Sequence, residues 1–128
     1  MSLRSPLGTV LGFGSARQGV HHWWVQRLSA VALVPLGIWL VVSLLTLPSL
    51  DYTTVIAWMS GSWTALALVL FVLTASWHSQ LGVRVIVEDY VHGSGPKMVA
   101  LIVLTFVHVL IAAAGVLAIL KVTFGRAS

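Results

Sequence analysis

No cysteine occurs among the 128 residues. That excludes a disulfide framework, a thiol nucleophile and any iron–sulfur cluster held by this chain. Charge is almost as scarce. Only 8% of the residues are Asp, Glu, Lys or Arg, against about 25% in ordinary globular proteins. Acids are the scarcer sign, three against seven bases, for a formal net charge of +4. None of the three acids falls inside a long apolar run, which disfavours a small transporter, because such a protein needs an acid within the membrane to couple an ion or hold a cation. Hydrophobic residues fill the chain instead, at 59%, where soluble proteins reach about 45–50% even with glycine counted. A soluble domain is thereby excluded. The bases flank apolar runs and form no stripe, so they point to membrane orientation and not to nucleic acid.

A bilayer core of about 30 Å takes about 20 apolar residues as a helix. Three stretches qualify, predicting transmembrane helices over 28–47, 56–83 and 98–121. The first carries no charge, the second has His78 as its ionisable group, and the third is interrupted by His108 before it ends at Lys121. The rest divides into an N-terminal segment 1–27, a loop 84–97 and a tail 122–128. The second stretch is longer than a bilayer requires, so it is expected to tilt or to extend into the interface. No signal peptide is visible, since the first apolar run begins only after Arg27, and the first span is expected to be retained. The expected fold is an all-α membrane protein of three transmembrane helices. Short links, one around Pro48 and one ending in His92-Gly93-Ser94-Gly95-Pro96, make neighbouring helices antiparallel.

Orientation follows from the bases. Arg4, Arg17, Arg27, Arg84 and Lys97 fall on one side, and Lys121 and Arg126 on the other. The positive-inside rule then places the N terminus and the loop 84–97 in the cytoplasm and the C terminus in the periplasm. Trp23, Trp24, Trp58 and Trp63 lie near span ends, where amphipathic rings are comfortable. Pro35, inside the first span, is expected to kink it. The small residues Ala112-Ala113-Ala114-Gly115, with Ala118, make a flat face for close packing. Three helices enclose little volume, so partner helices are expected.

An imidazole within a membrane span is costly without a partner and marks a functional site by default. His78 is such a group. It could ligate haem iron, or it could simply bond a neighbouring helix. Gly82, one turn on, would let a flat macrocycle approach the backbone. Glu88-Asp89-Tyr90 follows at the membrane edge. It reads either as a solvated loop or as a phenol that donates to a carbonyl oxygen beside a carboxylate that delivers a proton. His21-His22-Trp23-Trp24 and Gln26-Arg27 precede the first span. They serve as an interfacial anchor, or Arg27 pairs with an anion such as a haem propionate. His108 could be a second ligand, though one polar bond to a neighbouring helix accounts for it more simply, and His92 reads as solvated.

In combination these residues resemble the hydrophobic membrane anchor, or smaller cytochrome b (D) subunit, of succinate dehydrogenase (complex II). The family pattern has a Gly-Val-His stretch and an arginine before the first span, here Gly19-Val20-His21 and Arg27. It continues with a histidine late in the second span, a glycine four residues on, and Asp-Tyr eleven and twelve residues on, here His78, Gly82, Asp89 and Tyr90. Each motif alone is weak. Their order, spacing and placement at one membrane face make the set specific, and it covers nearly the whole chain.

The resemblance implies that His78 is one axial ligand of haem b, the other coming from the companion cytochrome b subunit. Tyr90 would hydrogen-bond ubiquinone, with Asp89 supporting geometry and protonation. Arg27, and less firmly His21, would lie near the haem propionates and the quinone pocket. The chain would not be catalytic by itself. It would join a flavoprotein, an iron–sulfur subunit and a cytochrome b subunit in a four-subunit complex of the tricarboxylic acid cycle and respiratory electron transport. That complex would sit in the cell inner membrane, or the mitochondrial inner membrane if organellar. Two alternatives remain: the anchor of a fumarate reductase, and a structural or assembly membrane protein without redox chemistry.

Overall fold

A computed structural model describes residues 15–125. Four helices follow one another: α1 (Ser15–Leu45), α2 (Tyr52–Met59), α3 (Ser62–Tyr90) and α4 (Ser94–Phe124). Three of them, α1, α3 and α4, are long and apolar enough to cross a membrane. Among the described residues there is no strand. Arg4 and Arg126, used above for orientation, lie outside the described residues.

The helices outrun the apolar stretches that mark them. α1 is already helical at Ser15 and continues through Pro35. α3 does not stop at Val83 but runs to Tyr90. Within that extension Arg84 Nε donates to Glu88 Oε1 at 2.8 Å, a pairing one helical turn apart that supports the helix where the sequence suggests a loop. The connection to α4 shrinks to 91–93. Ser94-Gly95-Pro96 forms the first turn of α4, where proline's missing N–H leaves nothing unpaired. Lys97 N–H closes that turn on the Gly93 carbonyl at 2.9 Å.

The expected second span, 56–83, is divided between two helices. Asp51 caps α2, accepting from the Thr54 amide at 2.8 Å and from the hydroxyls of Ser49, Thr53 and Thr54. The Ser49 hydroxyl, followed by the Thr53 and Thr54 donors, holds this exposed carboxyl well below the usual carboxylate range. At the other end the Ser60 hydroxyl and amide both return to the Ile56 carbonyl. That ends α2, and Gly61 turns extended to begin α3. Trp58, on the short helix, stacks on Trp39 of α1 with ring centroids 6.0 Å apart.

α3 packs against both α1 and α4, whose backbones do not approach one another closely. The three long helices therefore form an open layer with α3 in the middle. Ser29 of α1 meets His78, and Gln26 lies beside Gly82. On the other flank Gly115 meets Val72, His108 meets Ser76 and Ser79, and Thr105 meets Gln80. In both pairings residue numbers rise on one helix as they fall on the other, so both neighbours run antiparallel to α3. The small apolar core of Ala65, Leu68 and Ile119 sits near the α2 end, with Trp39, Trp58 and Val72 against it. Elsewhere valines, leucines and isoleucines face outward on all three long helices. Lipid chains cover such faces without the penalty water would impose.

Candidate functional site

The polar groups gather at the end of the layer opposite that core. Trp23, Gln26, Arg27 and Ala30 recur at helical spacing on one stripe of α1, and with His78 of α3 they line a cavity of ≈ 330 Å³. The Arg27 guanidinium lies over the Trp23 ring, 5.3 Å from its centroid, a cation–π contact. Arg84–Glu88 is the ion pair found among the described residues. Among the described residues Arg27 has no acid beside it, so its charge stays available to an anion.

The hydroxyl of Ser29, which is 8% exposed, lies 2.8 Å from the Gln26 carbonyl oxygen and 2.9 Å from His78 Nδ1. With its one proton on the carbonyl, its oxygen is free to accept from Nδ1–H. The other ring nitrogen, Nε2, has no hydrogen-bond partner among the described residues.

His108 is the opposite case. Its Nδ1 lies 2.9 Å from the Leu104 carbonyl, which can only accept, so Nδ1 carries the proton. Nε2 takes a hydrogen bond from the Ser79 hydroxyl at 3.3 Å, and the Ser76 hydroxyl donates to the His108 carbonyl at 2.9 Å. Gln80 adds a bond to Thr105 at 3.0 Å. Both ring nitrogens of His108 are occupied, Nδ1 within α4 and Nε2 across to α3; the second is the polar helix-to-helix bond anticipated for it.

The structure splits the Glu88-Asp89-Tyr90 cluster. Glu88 is tied by its side chain to Arg84 and by its carbonyl to Lys97 Nζ at 2.8 Å, a cation at a helix C terminus. Asp89 and Tyr90 are exposed and have no side-chain partner among the described residues. Eleven residues return a helix almost to the same face, so Asp89 shares the His78 face about 16 Å farther along, and Tyr90 lies a third of a turn round. His21 is exposed on α1 and is not among the residues that line the cavity. His92 is exposed in the short connection. At Gly82 an added Cβ would lie 3.9 Å from Gln26 Nε2, so the Gln26 amide borders the space beyond His78.

Sequence reasoning passed over Ser29, Gln26 and Ala30 as parts of this site and read Trp23 only as an anchor. The one available signal was spacing: positions 23, 26, 27 and 30 form a single helical stripe.

This arrangement accords with what the chain is similar to. The family model for the succinate dehydrogenase/fumarate reductase transmembrane subunit matches residues 1–114. The chain belongs to that family. Relatives include the succinate dehydrogenase hydrophobic membrane anchor subunits of Rickettsia conorii and Paracoccus denitrificans. The first is 34% identical over 79 residues, 61% of this chain and 63% of that protein. The second is 30% identical over 110 residues, 86% of this chain and 85% of that protein. The succinate dehydrogenase membrane anchor subunit of Reclinomonas americana is 27% identical over 103 residues, 78% of this chain and 86% of that protein. The rickettsial match thus spans a little under two thirds of its relative. With three membrane-crossing helices and membrane-anchor relatives, the chain is a multi-pass protein of the inner membrane.

Proposed function

We propose that this chain anchors a succinate:quinone oxidoreductase in the inner membrane, supplies one axial ligand of haem b and forms part of the ubiquinone site. The observation that carries the reading is His78, with Nδ1 held by Ser29, Nε2 without a partner among the described residues, and a cavity that the ring lines together with Arg27. Among the described residues no three His, Cys, Asp or Glu side chains are placed to hold a metal ion. A bare ion therefore has no cage here, whereas a porphyrin brings four ligands of its own and asks this chain for a single imidazole. The residues fit that group: a neutral imidazole for the iron and the Arg27 guanidinium for a propionate.

Haem b, when bound, would supply a one-electron carrier. His78 would hold the iron for this chain, with a companion cytochrome b subunit providing the other ligand. Arg27 balances carboxylate charge at the membrane boundary, with His21 as a further neighbour on α1. Tyr90, without a side-chain partner among the described residues, donates its phenolic proton to a quinone carbonyl oxygen. Asp89 beside it orients the phenol and supplies a proton as the quinone takes up electrons. The chain performs no succinate chemistry. A flavoprotein and an iron–sulfur subunit deliver the electrons, completing a four-subunit complex that serves the tricarboxylic acid cycle and respiratory electron transport.

The orientation belongs to this reading. Arg27, Arg84 and Lys97 stand at one end of the layer and Lys121 at the other. The end with His78, Asp89 and Tyr90 therefore faces the cytoplasm, as the positive-inside rule requires. The family also contains fumarate reductase anchors. The cited relatives are all named for succinate dehydrogenase, which favours that direction. The test is to isolate the complex through this chain and measure succinate-driven quinone reduction. Activity that co-purifies with flavin, iron–sulfur and haem signals is expected. A chain that comes down alone, or in a complex without quinone reductase activity, would overturn the proposal.

A further inference from the structure

We propose that Ser29 is the positioning residue for His78: it fixes which ring nitrogen faces the iron and tunes how strongly that nitrogen donates. The inference rests on the proposal that His78 is a haem ligand, and it deepens that proposal by naming the residue through which α1 acts on the ligand.

Ser29 Oγ lies 2.8 Å from the Gln26 carbonyl oxygen and 2.9 Å from His78 Nδ1. A neutral histidine that gives Nε2 to iron carries its ring proton on Nδ1. The Ser29 oxygen, with its own proton on the Gln26 carbonyl, is the acceptor in reach of that proton. Ser29 is the buried polar residue of the described chain, so water does not compete well for this bond. The serine lies on α1 and the histidine on α3, so the bond also sets the ring plane through the packing of two helices. An acceptor on the remote nitrogen makes imidazole a stronger donor. A stronger donor favours ferric over ferrous iron and lowers the midpoint potential.

The consequence is specific. Ser29→Ala removes the acceptor and leaves the helix contact nearly intact. Ser29→Cys keeps the volume but weakens the acceptor, because sulfur accepts hydrogen bonds poorly. Ser29→Thr keeps the hydroxyl. In complex isolated through each variant chain, redox titration of the haem should show the midpoint raised in Ser29→Ala. A shift of about tenfold in the ferric-to-ferrous ratio at fixed potential is expected, which is ~59 mV for one electron. Ser29→Cys should move in the same direction by less, and Ser29→Thr should match wild type. The low-spin ferric electron paramagnetic resonance signal should change in Ser29→Ala as the ring plane is released, with haem content retained. An unchanged midpoint and an unchanged resonance in both Ser29→Ala and Ser29→Cys would overturn the inference. If Ser29→Ala does not assemble, Ser29→Cys alone decides. His78→Ala, measured alongside, separates the two failures. Haem lost there with Ser29→Ala unchanged removes only the role of Ser29, whereas haem unaffected by His78→Ala removes the ligand assignment itself.

Discussion

At the scale of single residues, the two membrane histidines differ in one atom. Nδ1 meets Ser29 Oγ in one case and the Leu104 carbonyl in the other. Of the two, only His78 has an Nε2 without a partner among the described residues. Ser79, the next residue along α3, supplies the hydroxyl that occupies His108 Nε2. Adjacent positions on one helix thus point to different neighbours: His78 toward α1 and Ser79 toward α4. The importance of His78 was legible in the sequence because an ionisable group in a span is rare. Ser29 was not, because a serine in an apolar span is ordinary and its partner lies 49 residues away. Tyr90 and Asp89 carry the prediction that belongs here. Tyr90→Phe removes one hydroxyl from an exposed ring, so assembly and haem should be unaffected. Loss of one hydrogen bond to a charge-developing oxygen should lower quinone reduction by about ten- to a hundredfold. Succinate-driven quinone turnover checks it, and a wild-type rate would remove Tyr90 from the quinone site.

At the scale of helices, α3 is the organising element, because both other spans pack on it. It packs tightly on α4 at Gly115, where an added Cβ would lie 2.8 Å from Val72 Cγ1. Valine is stiff about χ1 and cannot swing aside, so the helices would have to part. Gly115→Ala should therefore destabilise the isolated complex by about 1–3 kcal/mol. Gly37, on α1, has nothing within 4 Å of the same atom. Gly37→Ala should be neutral or slightly stabilising, since alanine is the better helix former by up to about 1 kcal/mol. Thermal inactivation of the two variants side by side checks the contrast. The small-residue patch containing Gly115 was legible as a packing face. The division of the second stretch was not, because hydropathy ran unbroken across Ser60-Gly61-Ser62. The continuation of α3 to Tyr90 was equally hidden. Arg84 and Glu88 read as loop charges until their spacing of four residues is placed on a helix.

At the scale of the whole molecule, an open layer of three helices leaves most of its apolar surface uncovered by its own chain. The span count was legible because bilayer thickness dictates run length. How the spans meet was not, because side-chain hydropathy carries no information about which face touches which helix. The layer keeps its small core at the α2 end and its polar site at the other, about 20 Å apart along α3 from Ala65 to His78. In the proposed function, a chain built this way would give a haem one ligand and half a wall, and a second subunit would supply the rest. The most direct test of that account is a dithionite-reduced minus oxidised spectrum of the complex isolated through this chain, taken for wild type, His78→Ala and His108→Ala. The account predicts a b-type haem signal in wild type, the same signal in His108→Ala, and a signal lost or shifted in His78→Ala. An unchanged signal in His78→Ala, or an intact complex with no haem at all, would contradict it.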